Sequence, residues 1–227
     1  MGDVNIDVRV APLEWSLIRA RGPQAVSFLQ GQLTQDVEDL EGAERWALLL
    51  RPDSVVVTSV LVHGAGHGLD LVVPRALADD AETRLRRFLL RVECTLEVTD
   101  AASGPLATTA DLVSSGWPGA SEFAAELTPH CFGAALMSAA VSFTKGCYTG
   151  QELVGRLDAR GARVPWRLVR VSGPSLDSLT AVLTSHGPDG PQGVTTAVPG
   201  GEGVRALGVA HRSLVDGVHD GVRVETL

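Results

Sequence analysis

The sequence predicts an α+β fold, a mixed α/β body followed by a small C-terminal β-barrel domain. Three observations carry this reading. Short apolar and β-branched runs recur between residues 15 and 98 with two helix-period segments among them, the stretch from Asp100 to Thr128 is rich in Ala, Ser, Thr, Gly and Pro, and from Trp166 onward alternating runs are punctuated by Gly and Pro. A 227-residue chain with 44% hydrophobic and 20% charged residues fills one substantial core or two small ones, which excludes a disordered or fibrous chain.

Taken in order, Trp15 to Arg19 alternates as a strand. Gly22-Pro23 then opens a helix in which Val26, Leu29, Gln30 and Leu33 share a face, with Gly31 near its stop. Ala47 to Leu50, Val55 to Val62 and Leu69 to Val73 read as a three-strand meander. After Pro74, the stripe Leu77, Ala81, Leu85, Phe88 and Leu89 marks a helix, with Asp79, Asp80 and Glu82 early and Arg84, Arg86, Arg87 and Arg91 late, as the helix dipole favours. Cys94 to Val98 is a further strand. The segment 100–128 reads as loop with short elements around Ala107 to Val113 and Glu122 to Leu127. In the tail, Arg167 to Val171, Val194 to Ala197, Arg205 to Ala210 and Val222 to Glu225 read as short strands of a separate β-domain. The expected domains are therefore 1–164 and 165–227.

A formal charge of −8 argues against nucleic acid or an anionic membrane as a direct partner, since either needs a positive field. No apolar run approaches the roughly 18 to 20 residues that span a bilayer. Met1 to Ile6 shows neither a basic-plus-apolar leader nor the Ser or Thr at position 6 that myristoylation favours, so a cytoplasmic location is expected.

Cys94, Cys131 and Cys147 are an odd set separated by 37 and 16 positions with no CxxC pair, which is no disulfide framework. They are also too few for a four-thiolate iron–sulfur site and too scattered for structural zinc, so no metal site is expected. Of the 19 basic residues, 18 are Arg; Lys145 is the single Lys, and the single Tyr, Tyr148, follows three positions later. An ammonium at one place in an Arg-biased chain suggests either chance or a site that needs a compact charge on a flexible stem. The segment Lys145-Gly146-Cys147-Tyr148-Thr149-Gly150-Gln151-Glu152 joins an ammonium, a thiol, a phenol, an amide and a carboxylate, and its two glycines permit close backbone approach. A free thiol is only a few per cent thiolate at neutral pH, and an adjacent ammonium that lowers its pKa by about one unit raises that fraction almost tenfold. Cys147 is thus the candidate nucleophile or redox group, with Lys145 as its activator; the alternative is a buried Cys acting as a small hydrophobe. Gln30, Gln32, Thr34, Gln35 and Asp36 form the other dense polar set, able either to cap backbone groups at a helix end or to line a pocket for a flat heterocycle.

Two of these segments together resemble a known family. Arg21 to Val37, which contains Gln30-Gly31-Gln32-Leu33-Thr34-Gln35-Asp36, is similar to the amino-terminal signature of the YgfZ folate-binding proteins, and Val141-Ser142-Phe143-Thr144 followed by KGCYTGQE resembles that family's defining motif. The family belongs to the aminomethyltransferase (glycine-cleavage T-protein) superfamily. Gly193 to Thr196 and Ala206 to Val209 resemble its carboxy-terminal barrel. The resemblance implies a folate-binding body over 1–164, shortened around 100–128, a terminal β-barrel, and a cavity for tetrahydrofolate. It also implies an accessory role in assembly or repair of iron–sulfur enzymes, including those that modify tRNA, with iron–sulfur client proteins as partners and the motif Cys147 important, a role not established as conventional catalysis. On this likeness Cys147 and Lys145 are the functional pair and Gly146, Tyr148, Gly150, Gln151 and Glu152 complete the motif. Trp15, Gln30, Gln32, Thr34, Asp36 and Trp117 are then the expected folate contacts. The alternatives are folate-dependent aminomethyl or one-carbon transfer, and an interaction module that has lost the pocket.

The sequence departs from the family pattern at two places. Ser114, in Leu112 to Pro118, stands where the superfamily usually carries a Glu that accepts paired N–H bonds from the pterin, and losing such an acceptor from a desolvated site costs about 2 to 5 kcal/mol. Ser54-Val55 stands where a glycine is common after the second strand.

Overall fold

The protein is described from a computed structural model covering residues 6, 8–40 and 42–227; positions 1–5, part of the segment read for a leader, lie outside the described residues. The chain forms two compact units, one of Glu14–Pro105 with Ala135–Ala162, the other of Met1–Leu13, Leu106–Ala134 and Arg163–Leu227.

The first unit is built on the antiparallel sheet β2-β3-β4-β1-β5, with β1 at Trp15–Arg21, β2 at Glu44–Leu50, β3 at Val56–Gly64, β4 at Gly68–Pro74 and β5 at Thr95–Asp100. The meander β2-β3-β4 comes straight from its turns. Strand β1 lies between β4 and β5, pairing Ile18 with both Leu71 and Val98. Helices α1 (Ala25–Gln30) and α2 (Ala78–Arg86) supply Ala25, Phe28, Leu29, Ala81 and Leu85 to one core with Ile18, Ala47, Leu49, Val60, Val62 and Leu71. Helix α2 is shorter than its apolar stripe predicts. Its chain tightens into i→i+3 bonds from Phe88 to Leu85 and from Leu89 to Arg86, and Arg91 takes a left-handed φ of 62°, so Phe88 is left 40% exposed.

The second unit carries the β-domain, an antiparallel sheet ordered β7-β8-β6-β10-β9. Its strands are β6 (Trp166–Gly173), β7 (Gly193–Gly200), β8 (Gly203–His211), β9 (Gly217–His219) and β10 (Val222–Thr226). The mixed α/β class with a C-terminal β-domain is thus what the chain adopts. Residues 106–134 belong with this sheet rather than with the body that precedes them in sequence. They form α3 (Thr109–Ser115), α4 (Ala120–Phe123) and a 3-10 turn, Pro129–Phe132. The reason is local. Thr108 and Asp111 close a capping box that starts α3, Gly116 ends it at φ 73°, and the Arg170 guanidinium on β6 donates to the Val113 and Ser114 carbonyls at that end.

Three helices are absent from the sequence expectation: α5 (Ala134–Ala140) and α6 (Gln151–Ala159) of the 135–162 segment, and α7 (Leu176–Thr184) of the tail. Helix α7 puts Leu179, Val182 and Leu183 against Val169, Val171, Ala206 and Val222, which fills the second core.

Candidate functional site

The motif segment runs from Val141 at the end of α5 to Gly150 at the start of α6. Its geometry is set by Lys145. The ammonium donates to three backbone carbonyls, Gln30 at 2.5 Å, Leu33 at 2.7 Å and Gln35 at 3.1 Å, and lies 5.3 Å from the centre of the Tyr148 ring. These carbonyls belong to the last residue of α1 and the turn that follows, where the chain has acceptors left without helical donors. Three N–H bonds diverging from one nitrogen match three converging acceptors, a fit that a planar guanidinium cannot copy, and this is the physical reason for one Lys among the arginines. Burial pulls the ammonium down from its usual value to about 8, while the charges of Asp36 and Glu38 act in the opposite sense.

The Cys147 side of the loop faces outward. Gly146 and Cys147 are exposed, and a Cβ at Gly146 would meet nothing within 4 Å. All three N–H bonds of Lys145 point at carbonyls, so its charge is committed to the α1 end. Tyr148 is buried, and burial pushes its phenol up to about 12. Gln151 accepts from the Tyr148 backbone N–H at 3.1 Å and starts α6, whose first turn also holds the exposed Glu152. Thr149 donates its hydroxyl to Gln32 at 3.3 Å and its backbone N–H to Gly31.

Gly150 is the tight glycine of the motif. It has φ 84°, and a Cβ there would lie 2.7 Å from the Arg51 carbonyl oxygen and 3.2 Å from Leu50 Cβ. Opposite it, Ser54 holds φ 68° while 1% exposed, and its hydroxyl donates to the Gly150 carbonyl at 2.5 Å. The serine where a glycine is common therefore keeps the left-handed turn and adds a bond to the motif.

The Gln30 to Asp36 set closes on itself and on the motif. Gln30 donates to Asp36 at 3.1 Å and accepts from the Val37 N–H at 2.9 Å; Asp36 also accepts from the Glu38 N–H. Thr34 is fully buried, donating to the Ala140 carbonyl and accepting from the Leu48 N–H. These are the backbone-capping roles open to such residues, and they bring Gln30, Gln32, Thr34 and Asp36 together with Lys145. Trp15, also of this unit, is 6% exposed, with Gly104 so close that a Cβ there would fall 2.2 Å from the indole Cγ.

Trp117 and Ser114 belong to the other unit. Trp117 is half-buried; Ser114 is exposed and offers its carbonyl to Arg170. Eight positions beyond Ser114 lies a carboxylate that sequence reasoning missed. Glu122 is fully buried, one oxygen accepting from the Gly119 N–H at 2.8 Å and the other from the hydroxyls of Thr195 at 2.6 Å and Thr196 at 2.7 Å. The sequence signal was Gly-x-x-Glu at a helix start, with Thr-Thr far away in sequence. Among the described residues there is no group of three or more His, Cys, Asp or Glu side chains able to hold a metal ion. Cys94 and Cys131 are raised above the usual thiol range by burial.

No family model matches the sequence, and no curated protein does. Solved structures do. The glycine cleavage system aminomethyltransferase T from Bartonella henselae aligns at 16% identity with a TM-score of 0.65, over 97% of this chain and 85% of that one. The chain has an aminomethyltransferase T fold. That likeness is one of architecture, and it extends over both units. No helix among the described residues is long and apolar enough to cross a membrane.

Proposed function

We propose that this protein is a YgfZ-like, folate-binding accessory factor that presents Cys147 to iron–sulfur enzymes during their assembly or repair. The observation that carries the reading is the motif loop, which holds an exposed Cys147 on a segment pinned by Lys145, Gln151 and Gly150. Such a thiol is positioned to be met by a protein partner without any opening of the loop. The aminomethyltransferase T fold is compatible with a reduced folate as ligand. Tetrahydrofolate is expected to quench tryptophan fluorescence saturably and to raise the melting temperature; no response at millimolar folate removes the ligand half of the proposal.

A second reading, an interaction module without folate, is favoured by specific observations. Gln30 and Asp36 bond to each other, the Trp15 indole is covered, and Ser114 replaces the expected carboxylate. Complementation in cells lacking the native copy separates the two. If Cys147→Ala impairs iron–sulfur enzyme activity and the purified protein ignores folate, the module reading stands. One-carbon transfer would show as turnover with an aminomethylated carrier and tetrahydrofolate.

A further inference from the structure

At the end of the β-domain sheet lies an open groove of about 480 Å³ bordered by the Gly200 to Gly203 turn, Pro174, Val218 and Gly221. Strand register places three polar side chains across its floor. Ser172 on β6 is paired with Arg205 on β8 on one side and with Arg223 on β10 on the other. Directly paired residues of an antiparallel sheet project to the same side, so Arg205 and Arg223 leave the sheet on the same face as Ser172, one on each side of it. Their backbones stand two strand spacings apart, about 10 Å, which the reach of two arginine side chains closes onto a single small group.

None of these three side chains hydrogen-bonds or ion-pairs with a described residue. The contrast is with Arg170, two residues earlier on the same strand face, whose guanidinium is held by Glu225 at 2.9 Å and by the Val113 and Ser114 carbonyls. Glu202 borders the groove but pairs with neither arginine. Gly200 shapes the wall: a Cβ there would come within 3.0 Å of Arg205 Cγ, so its absence lets the Arg205 stem lie across the turn.

We infer that this groove is a binding site for a small phosphomonoester, its phosphoryl oxygens held between the Arg205 and Arg223 forks with Ser172 as an additional donor. Two planar forks with the reach to meet over one hydroxyl suit a tetrahedral dianion, each fork able to give parallel N–H bonds. Val218, Val204 and Pro174 line the groove beside the charges and suit an organic substituent. The chain's charge of −8 opposes docking on an anionic surface, which favours a free small molecule as the source of the phosphate.

Binding of inorganic phosphate and of phenyl phosphate to the full-length protein, followed by calorimetry and 31P line broadening at fixed ionic strength, tests the site. Saturable binding is expected, tighter for phenyl phosphate than for phosphate. Arg205→Gln and Arg223→Gln are each expected to weaken it about tenfold or more. Ser172→Ala weakens it less, and Arg212→Gln, an exposed arginine outside the groove, changes it less than about twofold. Circular dichroism confirms that each variant is folded. Absence of saturable binding up to about 20 mM, or equal loss in Arg212→Gln, overturns the inference. Arg205-dependent sedimentation with phosphatidylserine vesicles without phosphate binding also overturns it, assigning the pair to a lipid surface instead.

Discussion

Arg84 is the least expected charge in the molecule, and replacing it should strengthen the fold. It sits on α2 at 6% exposure, with Nε donating to the Leu50 carbonyl at 3.0 Å and the guanidinium carbon 4.3 Å from the centre of the Phe88 ring. Its two terminal nitrogens are buried without a hydrogen-bond partner. Burial and the neighbouring Arg87 charge both lower its pKa. Arg84→Met keeps the length and the apolar stem. It forfeits the bond to Leu50 and leaves that carbonyl unpaired, about 1 to 3 kcal/mol, together with a cation–π contact of roughly 0.5 to 2 kcal/mol. Against this stands the penalty of a buried ion with unpaired donors, several kcal/mol. The balance favours Met by about 1 to 2 kcal/mol, or roughly 2 to 8 °C in melting temperature for a chain of this size. Urea unfolding followed by tryptophan fluorescence reads the change as a higher midpoint at constant slope. A loss of more than about 1 kcal/mol in Arg84→Met would show that the guanidinium has strong partners and would refute the reasoning.

Lys145 is the single lysine, so 15N-lysine labelling gives one side-chain signal, whose titration midpoint is expected near 8 rather than 10.5. With the folded value the lower of the two, the unfolded chain binds more protons between those pH values. Wild-type stability should therefore rise relative to Lys145→Met across that window, and a midpoint at or above 10.5 counts against the burial argument. Gly150→Ala should destabilise by more than about 1 kcal/mol in urea melts because of its positive φ and the Arg51 carbonyl, whereas Gly146→Ala should lie within about 0.5 kcal/mol of wild type. Glu122→Ala strands the Gly119 N–H and the hydroxyls of Thr195 and Thr196. A loss of about 2 to 4 kcal/mol is expected, measured by urea melts, with Glu122→Gln intermediate.

Much of the fold was legible because it rests on patterns that repeat locally. The strands from Trp15 to Asp100 announce themselves by β-branched runs between turn residues, and α1 and α2 by their apolar faces. Helix α7 escaped although Leu176, Leu179 and Leu183 keep helical spacing, because its capping box uses Ser175 with Ser178, not the Glu or Gln that usually marks the third position, and surrounding Gly and Pro suggest only strands and turns. The candidate site was half legible. Composition singled out Lys145, but its partners are backbone carbonyls of Gln30, Leu33 and Gln35, which carry no mark in a sequence. Ser114 and Glu122 show the same limit. A carboxylate missing at one position says nothing of one eight residues on, sealed by hydroxyls that the topology brings from β7.

The placement of Lys145 changes what the motif cysteine requires. An ammonium directed at a thiol would activate it, and an arginine could in part replace it. An ammonium caged by three carbonyls instead fixes the path of the chain from Ser142 to Tyr148, and an arginine fails sterically and in hydrogen-bond geometry. The same cage ties the Lys145 loop to the Gln30 to Asp36 turn, so the two polar segments that the sequence singles out form one packed structure joined at an ammonium. Their joint presence in the sequence thus has a mechanical basis, because the Lys145 ammonium, Ser142 and Thr149 all bond to groups of the Gln30 to Gln35 stretch. The thiol is exposed between two held neighbours: Tyr148 is buried on one side, and Lys145 is anchored to the Gln30, Leu33 and Gln35 carbonyls on the other.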